Sequence, residues 1–279
     1  MTSCAEDFHA LHYTAKPLML PNAWDYASAA LLADAGFPAI GTTSLGVAAA
    51  AGLPDGHGAT RDETLALAQR LRGLSVLITV DVEAGFSDNP DHVADYIARL
   101  AALGVVGVNV EDGRPDGALR SPALHAAIIH RIKARTPHVF VNARTDTYWA
   151  PASPPPLTET LRRCHRYIEA GADGIFVPGL TDPDSIAQLT AAAPAPVNIL
   201  AVPNGPTVTA LAALGVRRIS TGSLLYRAAL TAALKIADQV DRSATVTANA
   251  VSYRAVAHSC GGGSAASTAT PTSSGSKST

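Results

Sequence analysis

Asp81 and Glu83 stand two residues apart at the end of a β-branched run, Val76-Leu77-Ile78-Thr79-Val80, and are followed by Ala84-Gly85-Phe86. Strand periodicity places residues i and i+2 on one face, so these carboxylates repel each other unless a cation lies between them. Asp55 in the loop Gly52-Leu53-Pro54-Asp55, Glu111 in Val110-Glu111-Asp112, and Arg144 in Ala143-Arg144-Thr145-Asp146 offer related chemistry. An all-oxygen ligand set with several charged members and no soft ones suits Mg2+ or Mn2+. An arginine fork suits a substrate carboxylate. Backbone N–H groups in the turn Thr43-Ser44-Leu45-Gly46 would hold the oxyanion of a carbonyl or carboxylate. Together such groups would chelate a 2-oxo acid and stabilise its enolate. Taken singly, each has an ordinary role: Asp55 in a turn, Glu111 near a helix, Arg144 as partner of an acid. Their convergence is what favours a cation, because burying that much negative charge without one is costly.

The elements that must bring these residues together alternate along the chain. Apolar runs over 18–21, 39–42, 76–80, 105–110, 139–143, 174–177, 197–202 and 217–220 read as eight strands. Helical segments follow each of them, at 25–35, 61–71, 90–103, 121–135, 158–170, 183–192, 207–214 and 223–240. Asp25 caps the first helix and Gly36 closes it. This order predicts a (β/α)8 TIM-type barrel, whose strand C-termini open onto one catalytic rim. The rule carries Thr43, Ser44, Leu45, Asp81, Glu83, Glu111 and Arg144 to that rim, with Asp55 supplied by the loop after the second strand. A doubly wound open sheet would offer a G-x-G-x-x-G turn after its first strand, and none follows Leu20.

At 279 residues and 47% hydrophobic, the chain is long enough for one large domain. We divide it into a lead-in over 1–17, the barrel over 18–258, and a disordered tail rich in Gly, Ser, Thr and Ala over 259–279. A net charge of -2 with interspersed signs gives no reason to expect a nucleic-acid or membrane surface, leaving a small-molecule carboxylate as the expected partner. Cys4, Cys164 and Cys260 show neither C-x-x-C nor zinc-ligand spacing and read as reduced thiols. The polar N-terminus lacks the basic and apolar regions of a signal peptide, and the expected location is cytoplasmic. A Schiff-base aldolase needs a strand-end lysine, and Lys16, Lys133, Lys235 and Lys277 are not so placed.

From about Leu18 to Val240 the chain resembles the phosphoenolpyruvate mutase/isocitrate lyase superfamily. The resemblance rests on Thr42-Thr43-Ser44-Leu45-Gly46, Gly52-Leu53-Pro54-Asp55, Asp81-Val82-Glu83-Ala84-Gly85-Phe86 in place of D-x-D-T-G-Y/F, Val110-Glu111-Asp112, and Ala143-Arg144-Thr145-Asp146. It implies a Mg2+ site held directly by Asp81 and through water by Asp55, Glu83 and Glu111, with Mn2+ as substitute. It also implies Arg144 on the substrate carboxylate, Thr43, Ser44 and Leu45 on its carboxylate and oxo oxygens, and Arg144, Glu111 and Asp55 as the catalytic set. Members are usually homotetramers that exchange the last barrel helix, so a tetramer or dimer with a swapped helix near 223–240 is expected. The chain departs from the K-[KR]-C-G-H lid of the isocitrate and methylisocitrate lyases. Glu111-Asp112 is followed instead by Gly113-Arg114-Pro115-Asp116-Gly117-Ala118-Leu119-Arg120, without cysteine, histidine or lysine. The lysine and asparagine of the mutase lid are missing too, and Pro178 stands where the mutase has a histidine. The expectation is therefore a short-lid, Mg2+-dependent lyase that cleaves a C–C bond or decarboxylates a small 2-oxo or 2-hydroxy acid through a pyruvate-type enolate. The alternatives are a non-catalytic 2-oxo-acid binding protein and a P–C bond enzyme.

Overall fold

Nine parallel strands hydrogen-bond in the order β1-β9-β8-β7-β6-β5-β4-β3-β2 in a computed structural model that describes residues 3–149 and 155–261. The chain runs from α1 (Cys4–Leu11) to β1 (Leu18–Leu20), β2 (Asn22–Ala23), α2 (Tyr26–Asp34), β3 (Ala39–Thr42), α3 (Ser44–Ala51) and α4 (Arg61–Leu71). It continues through β4 (Leu77–Asp81), α5 (Pro90–Ala102), β5 (Gly107–Glu111), α6 (Pro122–Arg135), β6 (Phe140–Arg144) and α7 (Leu157–Glu169). The last part comprises β7 (Gly174–Phe176), α8 (Pro183–Ala192), β8 (Val197–Leu200), α9 (Val208–Ala213), β9 (Arg218–Ser220), α10 (Leu224–Asp241) and α11 (Tyr253–Gly261).

β1 and β2 are one physical strand interrupted at Pro21. The first half pairs with β9 and the second with β3, and the Pro21 carbonyl still accepts from Gly41 N at 2.9 Å. Pro21 has no N–H to give to the ladder, so the pairing changes side there. The result is the (β/α)8 barrel expected from the strand–helix alternation.

Asn22 closes the barrel. Its Nδ2 donates to the Thr42 carbonyl at 2.7 Å, while its Oδ1 accepts from the backbone N–H groups of Thr221 and Gly222 at 2.9 Å each. A Cβ at Gly41 would lie 2.6 Å from Asn22 Nδ2, so the close approach requires glycine there. The helices begin where capping chemistry places them: Asn89, Ser121 and Asp182 each cap a helix whose first turn carries proline.

Most of the core lies between the strands and the surrounding helices, which is why β3 and β5 are buried along their whole lengths. A second cluster, Phe8, Leu18, Leu20, Ala39, Val106 and Phe140, fills the barrel floor. The lead-in thus contributes a plug: α1 sets Phe8 edge-on to Phe140 at 5.4 Å and stacks His12 on the same ring at 4.2 Å. Two more helices lie outside the expected eight. α3 has no polar face to give it a helical period, and α11 packs against α2. α10 occupies the position of the last barrel helix yet buries no residue, and Leu230 and Leu234 are exposed. The first three residues of the expected tail, 259–261, are helical as the end of α11, and the rest of it lies outside the described residues, as do residues 151–154 of the proline-rich loop. Among the described residues no helix is long and apolar enough to cross a membrane.

The closure has a measurable weight. Asn22→Ala removes the side-chain hydrogen bonds that join β2 to β3 and to the turn after β9 and leaves the part-buried Thr221 and Gly222 N–H groups without their acceptor, so it should lower unfolding free energy by about 3 kcal/mol, read as a lower urea midpoint.

Candidate active site at the barrel mouth

The strand C-termini open into a cavity of about 420 Å³ lined by Thr43, Ser44, Leu45, Asp55, Asp81, Glu111, Arg144 and Asp146, with Arg114, Trp149 and Phe176 on its walls. Each functional side chain arrives by a short local device. Asp81 ends β4, where its N–H donates to Thr42 Oγ1 at 3.0 Å. Glu111 and Arg144 end the neighbouring strands β5 and β6 and are paired in register. Thr43 precedes α3 without a side-chain cap, so the first N–H groups of that helix, on Ser44 and Leu45, have no partner within the helix. The expected oxyanion turn is thus the uncapped N-terminus of a helix, with the positive end of its dipole at the cavity.

Arg144 is the centre of the charge arrangement. Its Nη1 lies 2.6 Å from Glu111 Oε2, and its Nε and Nη2 hold the two oxygens of Asp146 at 2.5 and 3.0 Å. Its guanidinium carbon lies 5.7 Å from the ring centres of both Trp149 and Phe176. Burial alone would lower its pKa, but Glu111, Asp146 and Asp81 outweigh burial and carry it above the ordinary arginine value. The carboxylates respond in the opposite sense. Burial pushes Glu111 well above the usual range despite Arg144. Burial, opposed by Arg144 and reinforced by Asp55 and Glu83, raises Asp81 to about 6.

Glu83 is placed differently from the strand-face expectation. β4 stops at Asp81, and Glu83 adopts a left-handed backbone with φ 49°, so two-residue alternation does not extend to it. Its carboxylate is buried, accepts from Gly58 N at 2.8 Å and pairs with Thr60 Oγ1, which ties down the segment that follows Asp55. Asp55, Asp81, Glu111 and Arg144 therefore meet at the cavity, while Glu83 stands behind them.

Asp112 and Asp146 carry functions that residue spacing did not announce. Asp112 is fully buried and accepts from Thr145 Oγ1, Asp146 N, Arg163 Nη1 and the Tyr167 hydroxyl at 2.6–2.9 Å. This fixes the corner that presents Arg144 and Asp146. Gly113 leaves room for it, since a Cβ there would sit 2.2 Å from Asp146 Oδ2. In the sequence both acids stand only as the last residues of the motifs Val110-Glu111-Asp112 and Ala143-Arg144-Thr145-Asp146, with no role of their own. On the lid, Gly113 bridges Leu119 to form a small hairpin. Arg114 faces the cavity and grips Asp88 with Nη2 at 2.9 Å from both oxygens. Arg120 is buried and holds the Ala84 and Ser87 carbonyls, while Asp116 caps its own turn.

Residues 8–241 match the family profile described as phosphoenolpyruvate phosphomutase. The chain belongs to the phosphoenolpyruvate mutase/isocitrate lyase superfamily. An uncharacterized protein of Mycobacterium tuberculosis is 51% identical over 233 residues, covering 84% of this chain and 88% of that one. A 2-methylisocitrate lyase of Shewanella oneidensis is 30% identical over 240 residues, covering 79% and 80%. Among solved structures, a Burkholderia cenocepacia protein given as a candidate phosphonomutase aligns with TM-score 0.81 at 39% identity, covering 85% of this chain and all of that one. An oxaloacetate acetylhydrolase in complex with 3,3-difluorooxalacetate shares the fold at TM-score 0.81 and 23% identity, each chain covered to 93%.

Members of this superfamily are metal-dependent enzymes, and the cavity fits a hard divalent cation in two respects. Asp55 Oδ1 is buried without a hydrogen-bond partner, and Asp81 carries a charge that its surroundings disfavour. Among the described residues no three acidic, histidine or cysteine side chains gather as a ready-made metal cluster.

Raising a carboxyl pKa on folding makes the folded state prefer the proton, so stability falls as pH rises from about 4, the unfolded value, through about 6. In EDTA at pH 8, Asp81→Asn should melt about 2–6 °C above the unsubstituted protein. The gap should close toward pH 4, and an equal gap at both pH values in thermal melts would contradict the assignment.

Proposed function

We propose that the chain is a Mg2+-dependent lyase that acts on a small 2-oxo or 2-hydroxy carboxylic acid through a pyruvate-type enolate, by C–C cleavage or decarboxylation. The observation that carries this reading is the pairing of a carboxylate-rich wall, Asp55, Asp81 and Glu111, with the uncapped start of α3 and the Arg144 fork across one cavity. Mg2+ would supply positive charge at the substrate's carboxylate and oxo oxygens. Asp81 would hold it directly, with Asp55 and Glu111 acting through water and Glu83 supporting them through the segment it ties down. Arg144 has N–H groups on Nη1 and Nη2 beyond those given to Glu111 and Asp146, and these would bind the substrate carboxylate. The N–H groups of Ser44 and Leu45 would face the oxygen on which negative charge develops as the C–C bond electrons move toward the carbonyl. Trp149 and the Arg114 hairpin would limit water at the forming enolate.

The lid gives a second reading support. It carries no cysteine, histidine or lysine, and the only lid side chain lining the cavity with a charge is Arg114. A protein that binds a 2-oxo acid without turning it over fits that composition. With Mg2+, purified protein should turn over at least one of oxaloacetate, methylisocitrate, a dimethylmalate-type acid or phosphonopyruvate, and Asp81→Ala should reduce the rate at least a hundredfold. Tight pyruvate or oxalate binding without product would select the binding protein. Turnover of phosphonopyruvate alone would select P–C chemistry.

The assembly is part of the same reading. α10 buries nothing in its own chain and exposes Leu230 and Leu234, as a helix exchanged between subunits would. The protein should therefore sediment as a tetramer or dimer, and Leu230→Glu with Leu234→Glu should shift it to monomer. A monomeric unsubstituted protein would refute the exchange.

A further inference from the structure

Arg218 lies in β9 two residues before Ser220, a lining residue of the cavity, and is only 1% exposed. It makes no ion pair among the described residues. Its hydrogen bond runs from Nη2 to Asn109 Oδ1 at 3.1 Å, while Nε and Nη1 are buried without partners. Burial draws its pKa down to about 9, with Asp81 the one carboxylate whose field supports the charge. A buried guanidinium so poorly matched weakens a fold, since an apolar side chain of similar length would fill the space at lower cost. Its presence calls for a role that packing does not supply.

Asn109 provides that role. Its Oδ1 receives Arg218 Nη2 and also Asn142 Nδ2 at 2.9 Å. Arginine has only donors to offer, so the amide cannot be reversed: oxygen faces Arg218, and Nδ2 is the end left for the cavity that Asn109 lines. Asn109 pairs in register with Asp81 and precedes Glu111 by two residues on β5, so its amide belongs to the same wall. A donor backed by a buried cation is polarised and strengthened. On a wall otherwise lined by carboxylates, it marks a place for an oxygen of an anionic substrate.

We propose that Asn109 is a substrate-binding residue that donates from Nδ2 to a carboxylate or oxo oxygen, and that Arg218 is its positioning residue. This rests on reading the cavity as a site for a small oxo acid. The test is calorimetric titration of oxalate with Mg2+ present, paired with thermal melts. Asn109→Ala should weaken oxalate about tenfold to a hundredfold, the range for a hydrogen bond to a charged group. Arg218→Met should weaken it about tenfold while melting at or above the unsubstituted protein, because it removes an unmatched buried charge. Asn109→Asp should melt higher by pairing with Arg218 and lose oxalate binding by repulsion. Unchanged oxalate affinity in Asn109→Ala or Arg218→Met would overturn the proposal alone. Weaker binding by Arg218→Met together with a lower melting temperature would assign Arg218 to the fold and overturn its positioning role. No oxalate binding by the unsubstituted protein at millimolar concentration would overturn the oxo-acid reading and this proposal with it.

Discussion

Arg144 is held at the end of β6 between Glu111 and Asp146, and the barrel mouth is arranged around that buried guanidinium. Arg144 is taken up by Glu111 and Asp146 and the Arg114 of the cavity wall by Asp88, so Asp55 and Asp81 line the cavity without an ion pair among the described residues. Burial raises the pKa values of Asp81, Glu111 and Asp146, and Arg144 opposes the rise in each. A wall of carboxylates that resist ionising is stable when a cation shares it, so the geometry of Arg144 and the chemistry proposed for the cavity follow from one charge balance.

Holding that balance requires rigid support from outside the cavity. Asp112 anchors the Arg144–Asp146 corner to Arg163 and Tyr167 on α7, and Asn22 closes the barrel between β2 and the turn after β9. Glu83 fixes the segment after Asp55, and the Asp88 pair with Arg114 fixes the hairpin over the cavity. These contacts lie where mobile loops would otherwise let the rim carboxylates drift apart.

The strands and most helices were legible because apolar runs are punctuated by Gly, Pro and capping side chains, as at Asp25 and Gly36 or Asn89 and Pro90. α3 was not, since an alanine-rich stretch has no periodic polar face, and the free N–H groups expected of a turn are those of an uncapped helix start. α1 falls within the expected lead-in, because nothing local shows that Phe8 and His12 meet Phe140. The site residues were legible as strand-end acids and an arginine, together with a family resemblance that the profile match bears out. The placement of Glu83 was not, because its φ of 49° ends the strand's alternation. Asp112 depends on partners 51 and 55 residues away, a separation at which no local pattern carries information.

On the proposed function, the carboxylate wall is a cation site facing an oxo-acid pocket. Anomalous diffraction from crystals soaked in Mn2+ and oxalate tests it directly. A single manganese peak beside the Asp81 carboxylate, with oxalate between it and the Ser44 and Leu45 N–H groups, is the predicted result. Oxalate bound there without manganese, or manganese only outside the barrel mouth, would contradict it.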